Sequence, residues 1–370
     1  MKKPLIASAF LVVLLAGIAL RAQNQTPQAP SIPGKSASES AKAAPASAEV
    51  PSGAQLPQPS AAPNASVAPR KKFKDMTLRE EEAVVAEIKK LDLPAIFQTM
   101  IDAKRVENDS RKQLHLQTVF ANAFLRKKPS PEFLEQMYGF ITNPANSDFE
   151  RHLLIGALES AATKETVELL LRVAKTAPDE KFRKAAATLS GVGSNSLTER
   201  EVSPIMERTW QETSNPTLLR STAAGMAKIG TPSGIELLLS AALATDDRDK
   251  ARQQAAYSAL QEVYKRDAVP PLSARLADQP PTSEAVKLVA PVLARIGDAT
   301  ASKALVDWLQ GRSENAAPLI HDLIRQRWLG DPFESAWATA VGPAVPFKNE
   351  ENRKAIREAL DAYRAGRTRR

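Results

Sequence analysis

The chain has 370 residues, no cysteine, three histidines and a formal net charge of +8. The lack of cysteine excludes disulfides, thiolate metal sites, cysteine nucleophiles and a lipid-modified cysteine. Four positive charges lie at 70–74 and four at 364–370, whereas residues 75–363 carry a net charge of −3. A basic nucleic-acid-binding face is therefore not indicated, and nucleic acid is not an expected partner.

The N-terminus has the pattern of an export signal. Residues 2–21, KKPLIASAFLVVLLAGIALR, place two lysines before a seventeen-residue apolar run that an arginine closes. Cleavage after Ala22 would put Leu20 at the −3 position, which suits signal peptidase poorly, and the run lies at the lower edge of membrane-spanning length. We predict that 1–21 is a single-pass inner-membrane anchor in the cell envelope, with a cleaved signal and a periplasmic or secreted protein as the alternative. The lysines leave the N-terminus in the cytoplasm and the rest of the chain outside it.

A polar linker follows the apolar run. Residues 22–69 contain nine prolines and otherwise mostly Ala, Ser, Gln and Asn. Such a composition cannot bury enough apolar surface to offset chain entropy, so we predict a disordered tether. The folded part of the chain is then expected over 70–370.

A helix–corner–helix pattern stands out near the middle of the chain. Residues 217–229 carry apolar side chains at helical spacing, and residues 235–242 do the same. Gly230 suits a helix C-terminus that needs a positive φ, and Pro232 cannot continue the preceding helix. The pattern predicts a corner between two antiparallel helices.

The corner recurs along the chain at a nearly constant interval. The positions just before the first apolar contact of each second helix are Glu132, Thr166, Glu201, Gly234, Ala268, Ala301 and Glu334. Their spacings are 34, 35, 33, 34, 33 and 33 residues. A period in this range with two helices per unit is typical of a stacked solenoid. We therefore predict an all-α fold, an α-solenoid of about seven antiparallel helix pairs.

Capping helices are expected at both ends of the series. Residues 77–103 start with acidic side chains that favour a helix N-terminus. Residues 349–366 are interpreted as a closing helix, with Asn349 as its N-cap and Gly366 after its end.

The fourth unit carries the clearest family resemblance. Its sequence RSTAAGMAKIGTPSGIELLLSAAL, starting at Arg220, resembles the short HEAT repeats first associated with phycobilin lyases. The resemblance extends over about residues 110–342. It implies an armadillo-like helical protein that serves mainly as an interaction scaffold and only rarely as a lyase.

No constellation of residues indicates catalysis. None of His115, His152 and His321 is followed by Glu, so the metal sites of helical-repeat hydroxylases and zinc proteases are not supported. His152 is expected to pack partly against its neighbours. The Gly191-Val192-Gly193 stretch lacks the third glycine of a dinucleotide site, and the acidic residues at 246–249 lack an EF-hand arrangement. We expect no enzyme activity, no cofactor and no metal.

Polar residues recur at equivalent places on the second helices and are our candidate partner-binding surface. They are Glu168, Arg172, Glu236, Ser240, Lys303 and Asp307. Ordinary solvent exposure would explain the same pattern. Trp328 and Trp337 are candidate exposed anchors, because aromatic side chains are enriched at binding hot spots, although both could instead cover the end of the core. Trp308 is expected in the core.

These patterns together predict a membrane-tethered extracytoplasmic scaffold. Its concave face would bind a protein or peptide partner without a large ordering cost to the solenoid. A bilin-lyase-like enzyme is one alternative, but it needs a cofactor pocket and an acid–base pair that the sequence does not show. A binder of polyanions or membrane surfaces, acting through the two basic ends, is the other.

Overall fold

A computed structural model describes residues 72–105, 109–189, 192–193, 197–245, 249–325, 331–340, 342 and 346–367. All of these residues belong to one compact unit, Ala61–Arg370. The predicted anchor at 1–21 and linker at 22–69 lie outside the described residues. Within the described ranges, no helix is both long and apolar enough to cross a membrane.

The described residues form α-helices joined by turns, with no β-strand among them. In chain order the helices are α1 Leu78–Ile88, α2 Leu93–Arg105, α3 Ser110–Phe124, α4 Pro131–Thr142, α5 Asp148–Ala161, α6 Lys164–Thr176, α7 Glu180–Ala186, α8 Glu199–Glu212, α9 Pro216–Ile229, α10 Pro232–Ala242, α11 Lys250–Leu260, α12 Val269–Leu276, α13 Glu284–Ile296, α14 Ala299–Gln310, α15 Ala317–Arg325, α16 Asp331–Ala340 and α17 Glu350–Arg367. Short 3₁₀ turns precede α1, at Phe73–Asp75, and α12, at Arg266–Ala268.

The helices from α3 to α16 form seven antiparallel pairs in two layers. The second helices α4, α6, α8, α10, α12, α14 and α16 each pack on the next, and we call this row the second-helix layer. The first helices pack as α3 on α5, α5 on α7, α9 on α11 and α13 on α15. The predicted all-α solenoid is therefore confirmed, and each second helix begins within three residues of its predicted marker.

Glycine corners join the two helices within a pair, as the sequence predicted for Gly230. Gly230 ends α9 with φ 72° and Gly297 ends α13 with φ 62°, both in the left-handed region. Thr231 then starts α10 by accepting a hydrogen bond from the Gly234 backbone N–H at 3.3 Å. Gly230 is also crossed closely by the next unit, because a Cβ placed on it would lie 2.5 Å from the Lys265 Cβ. Gly193 has a φ of 78°, and a Cβ placed on it would likewise lie 2.5 Å from the Lys228 Cβ.

Arginines cover the C-terminal ends of several second helices. The last carbonyls of a helix have no partner within the helix and need one from elsewhere. Guanidinium groups donate to carbonyl oxygens at these ends at the following distances: Arg151 to Ile141 at 2.6 Å, Arg183 to Ala177 at 2.6 Å, Arg252 to Thr213 at 2.9 Å, Arg312 to Ala277 at 2.7 Å and Arg353 to Gly342 at 2.8 Å. We call these five residues the arginine caps. Each joins a helix end to a part of the chain beyond it and so holds neighbouring units together.

The N-terminal cap predicted over 77–103 consists of two helices, α1 and α2. Thr77 and Glu80 form a capping box at the start of α1. The Ala95 backbone N–H then donates to the Asp92 carboxylate at 2.9 Å, where α2 begins. This side-chain acceptor offers the backbone an alternative to a continuous helix, and Pro94 lacks the N–H that such a helix would use.

The C-terminal helix α17 closes the solenoid by packing on α15. Asn349 is its N-cap, as predicted, and accepts from the Glu351 N–H at 2.9 Å. The prediction that Gly366 follows the helix end is wrong, since α17 continues to Arg367. A glycine inside a helix costs only about 1 kcal/mol relative to alanine, so it weakens the helix without ending it.

The third unit departs from the regular pattern. Its first helix, α7, has seven residues, whereas α5 and α9 have fourteen each. The connection from α7 to α8 runs over 187–198, and residues 190–191 and 194–196 of it lie outside the described ranges. The first-helix layer is therefore shortest here.

Candidate partner-binding surface

The six polar residues predicted to face a partner occupy equivalent positions on three second helices. Each pair is the fifth and ninth residue of its helix, in α6, α10 and α14 respectively. All six side chains are exposed, while the residues between them are mostly buried, as Leu169 and Leu170 are. We call Glu168, Arg172, Glu236, Ser240, Lys303 and Asp307 the second-helix ridge.

Arg172 links α6 to α4. Its guanidinium donates to the Glu135 carboxylate and lies over the Tyr138 ring, with its central carbon 3.9 Å from the ring centroid. The Tyr138 hydroxyl in turn lies 3.0 Å from the Thr176 hydroxyl. The hydrogen bond from Arg172 lowers the pKa of the Glu135 carboxyl from its ordinary value and raises the pKa of Arg172 itself.

A second link joins α10 to α12. The Arg275 Nη2 lies 3.0 Å from the Glu236 carboxylate and 3.2 Å from the Ser240 hydroxyl. Both ridge residues of α10 are thus held by one arginine of the neighbouring helix. On α14, by contrast, Lys303 and Asp307 pair with each other one turn apart.

Some residues of this surface were not singled out in the sequence. Glu135, Tyr138 and Arg275 complete the links described above. On α8, the Glu207 carboxylate accepts hydrogen bonds from the hydroxyls of Ser203 at 2.9 Å and Ser233 at 2.8 Å. The repeat could have indicated Glu135, Tyr138 and Arg275, because each lies about one period, 34–39 residues, from the ridge residue that it contacts. The contacts of Glu207 span 4 and 26 residues and do not follow the period.

Only one of the two predicted tryptophan anchors can be placed. Trp328 lies outside the described residues. Trp337 is not an exposed anchor, because only 1% of its surface is accessible. It belongs to α16, which packs against α14 and α17, and this packing encloses the indole. Trp308 is buried in the core as predicted, with 6% accessible.

Two of the polar groups considered for chemistry, His152 and Asp249, make contacts within the fold. His152 packs partly buried against Phe182, with the ring centroids 4.7 Å apart, as its neighbours in the sequence suggested. His321 is exposed, and its Nε2 lies 4.0 Å from the Glu358 carboxylate. Asp249 caps α11 and binds Arg252, while Asp246 and Asp247 lie outside the described residues. No group of three or more His, Cys, Asp or Glu suited to a metal ion occurs in the part of the chain that the structure describes.

Comparisons with known proteins add little to this picture. The chain is similar to a solved structure of human deoxyhypusine hydroxylase in complex with glycerol, at 15% sequence identity and a TM-score of 0.25. The similarity covers 77% of this chain and 99% of that chain. No family model matches the chain, and no curated protein matches it. The fold assignment therefore depends on the helix packing described above.

Proposed function

We propose that this protein is a membrane-tethered extracytoplasmic scaffold that binds another protein across its second-helix layer. The observation that carries the proposal is the second-helix ridge, which repeats the same two exposed positions on parallel helices. A rigid row of this kind lets a partner bind without ordering the solenoid first. Exposed ion pairs such as Arg172 with Glu135 contribute little to stability, so their side chains can exchange partners at low cost.

We also propose that the repeats are of the HEAT type. The near-constant period, the alanine-rich first helix of the fourth unit and the Ile229-Gly230 corner support this assignment. The armadillo-like repeats of such proteins form interaction surfaces, which agrees with a scaffold that has no enzyme activity.

The ridge is tested by a charge-reversed variant, Glu168→Lys with Arg172→Glu and Glu236→Lys. Affinity capture from a membrane fraction with the full chain identifies a partner, whose affinity for each variant is then measured. The matched control reverses exposed charges of the first-helix layer, Glu180→Lys, Glu284→Lys and Lys287→Glu. We expect the ridge variant to lose binding and the control to keep it. Recovery of no protein partner, or equal affinities for the two variants, would count against the scaffold.

The membrane tether is tested by cell fractionation. The full chain is expected in the inner-membrane fraction, with its folded part open to protease added from the periplasmic side. A chain exported with a different, cleavable signal in place of residues 1–21 should instead be soluble. Release of the natural chain into the soluble fraction would show that its signal is cleaved.

One ion pair bears on the alternative that the basic C-terminus binds a polyanion. Arg364, one of the four C-terminal basic residues, already pairs with Glu334 at 2.8 Å. Neutralising Arg367, Arg369 and Arg370 to Gln therefore tests the remaining charges without breaking this pair. A steep salt dependence of binding to anionic vesicles that disappears in the variant would favour the alternative.

The lyase alternative predicts a change in the absorption spectrum of a bilin that is added to the purified protein.

A further inference from the structure

Two turns at the N-terminal end of the solenoid carry a cluster of basic side chains. One turn joins α1 to α2, and the other joins α3 to α4. The two turns are in contact, because the Lys127 Nζ of the second donates to the Leu91 carbonyl oxygen of the first at 2.5 Å. We call the cations of these turns the basic corner: Lys89, Lys90, Arg126, Lys127 and Lys128.

The basic corner keeps a positive charge after the neighbouring carboxylates are counted. Lys90 pairs with Glu87 at 2.6 Å, and the Asp92 carboxylate accepts a hydrogen bond from the Ala95 N–H. Five cations and these two carboxylates give 5 − 2, a net charge of +3. The C-terminal dipole ends of α1 and α3 offset about one unit of this charge, so the surface stays positive.

Three of these cations have no partner among the described residues. Lys89, Arg126 and Lys128 are exposed, and their side chains form no hydrogen bond or ion pair with the part of the chain that the structure describes. A lysine ammonium is a point charge on a flexible stem, and holding it in one geometry costs side-chain entropy. The cluster therefore suits a surface of mobile negative charges better than a partner whose carboxylates lie at fixed positions.

An exposed leucine lies among the cations. Leu91, in the turn between α1 and α2, is 38% exposed. Apolar side chains bordered by lysine or arginine are typical of segments that lie in the interface of a membrane. Anionic headgroups attract each nearby cation, which is worth about fivefold in affinity per charge. Leucine and lysine together therefore favour a lipid surface as the occupant.

The predicted tether would hold this surface close to lipid. The predicted linker ends at residue 69, and α1 begins at Leu78, so the basic corner belongs to the end of the solenoid that follows the linker. As a flexible coil the linker spans about 40 Å. A tether of this kind makes docking an intramolecular step at an effective concentration of about a millimolar, at which a weak contact suffices.

We propose that the basic corner docks the N-terminal end of the solenoid onto anionic phospholipid headgroups. The proposal rests on the membrane tether proposed above, but not on partner binding by the second-helix ridge. It differs from the polyanion alternative, because it uses cations of the folded part rather than the two basic chain ends. Docking fixes the orientation of the solenoid on the membrane.

The test uses the absence of cysteine, since one introduced cysteine then carries a single fluorescent label. Asn122→Cys, exposed in the last turn of α3, reports on the basic corner, and Ala145→Cys, exposed in the turn between α4 and α5, is the control at the opposite edge. The full chain is reconstituted in vesicles of phosphatidylcholine, with or without one-third phosphatidylglycerol. Both contain a trace of lipid with a nitroxide quencher on its headgroup.

We expect strong quenching of the label at residue 122 in the anionic vesicles only, and its loss at high salt. The label at residue 145 should be quenched weakly in both kinds of vesicle. Equal quenching of the two labels, or equal quenching at residue 122 in both kinds of vesicle, would overturn the proposal.

A four-charge variant then assigns the contact, and it keeps Lys127 because this residue joins the two turns. Docking should weaken at least about a hundredfold, so that quenching falls to the phosphatidylcholine level. Its substitutions are Lys89→Gln, Lys90→Gln, Arg126→Gln and Lys128→Gln. The matched control neutralises four exposed cations elsewhere, Arg208→Gln, Arg220→Gln, Lys354→Gln and Arg357→Gln, and should be quenched like the natural chain. Melting curves verify that both fold, and equal quenching of the two variants would contradict the assignment.

Two further readouts separate the competing explanations. Flotation with phosphatidylcholine vesicles reports the anchor alone, so a chain that does not float lacks the tether, whereas a chain that floats without selective quenching lacks the docking. If the basic corner instead binds an acidic protein, a partner recovered by affinity capture loses affinity for the four-charge variant while the label at residue 122 stays unquenched in anionic vesicles. That outcome would also overturn the proposal.

Discussion

Gly230 meets two requirements at the corner between α9 and α10. Its φ of 72° lies in the left-handed region, and a Cβ there would lie 2.5 Å from the Lys265 Cβ. A side chain at this position would therefore be strained by its backbone and would also displace the next unit. The sequence pattern indicated the first requirement, but only the packed structure reveals the second.

Gly230→Ala should lower the free energy of unfolding by at least about 1–2 kcal/mol from the backbone strain alone. Gly139, in the helix α4, is the matched control, because a Cβ placed on it meets no atom within 4 Å. Gly139→Ala should stabilise the protein by about 0.5–1 kcal/mol. Urea unfolding of both variants checks the pair. Equal effects of the two substitutions would contradict this account of the corner.

Arg151 is the most deeply buried of the arginine caps, with 3% of its side chain accessible. Its Nε donates to the Ile141 carbonyl oxygen at 2.6 Å, and its guanidinium carbon lies 3.4 Å from the Phe182 ring centroid. Arg151→Met keeps much of the volume but leaves the carbonyl group without this donor. We expect a loss of about 2–3 kcal/mol of stability, measured by chemical unfolding. Lys184→Met, at an exposed site on α7, should change stability by less than about 0.5 kcal/mol, and a similar loss there would refute the assignment.

At the scale of the helix, the links between neighbouring second helices can be followed by titration. In Arg172→Gln the pKa of Glu135 should rise towards its ordinary value, because the hydrogen bond that lowers it is removed. Carbon NMR of the Glu135 carboxyl checks this. A carboxyl with a lowered folded-state pKa adds stability above its unfolded-state pKa, and that stability is lost as the pH falls through the folded-state pKa. The difference in stability between the natural chain and the variant should therefore shrink in acid. An unchanged Glu135 pKa would show that the link does not form.

The closing helix is held by a buried side chain that the sequence did not point out. Asn352 on α17 is fully buried; its Oδ1 accepts from the Ala316 N–H at 2.7 Å and its Nδ2 donates to the Glu314 carbonyl oxygen at 3.0 Å. Asn352→Leu leaves both backbone groups without this partner and should cost about 2–3 kcal/mol. Lys354→Leu, exposed on the same helix, is the control for thermal unfolding. Equal melting temperatures for the two variants would contradict the role of Asn352.

The sequence predicted the elements that depend on short-range patterns. The corner at Gly230, the cap at Asn349 and the starts of the second helices all follow from local residue preferences and were confirmed. The link between Arg172 and Glu135 could not be predicted in the same way, because it depends on how one unit lies against the next. Trp337 shows the same limit: its residue type suggested an anchor, but the packing of α16 buries it.

At the scale of the whole molecule, the ends of a solenoid limit its stability, since each unit buries its apolar face on a neighbour. A chain that ends at Lys348 lacks α17 and leaves the packed face of α15 open to water. Hydrogen exchange in α15 should then become much faster, while α3 to α6 keep their protection. A chain that ends at Gly366 keeps nearly all of α17 and serves as the control. Unchanged exchange in α15 after removal of α17 would show that the helix is not a cap.

Two lysines that cover glycine corners make the C-terminal side of the solenoid differ from its N-terminal side. Lys228 covers Gly193 and Lys265 covers Gly230, so both of these corners are shielded by residues that come later in the chain. Removing units from the C-terminal side would leave the last remaining corner uncovered, with a glycine backbone exposed to proteases. Trimming from that end should thus uncover Gly230 before Gly193, whereas loss of the units before α7 would leave both corners covered.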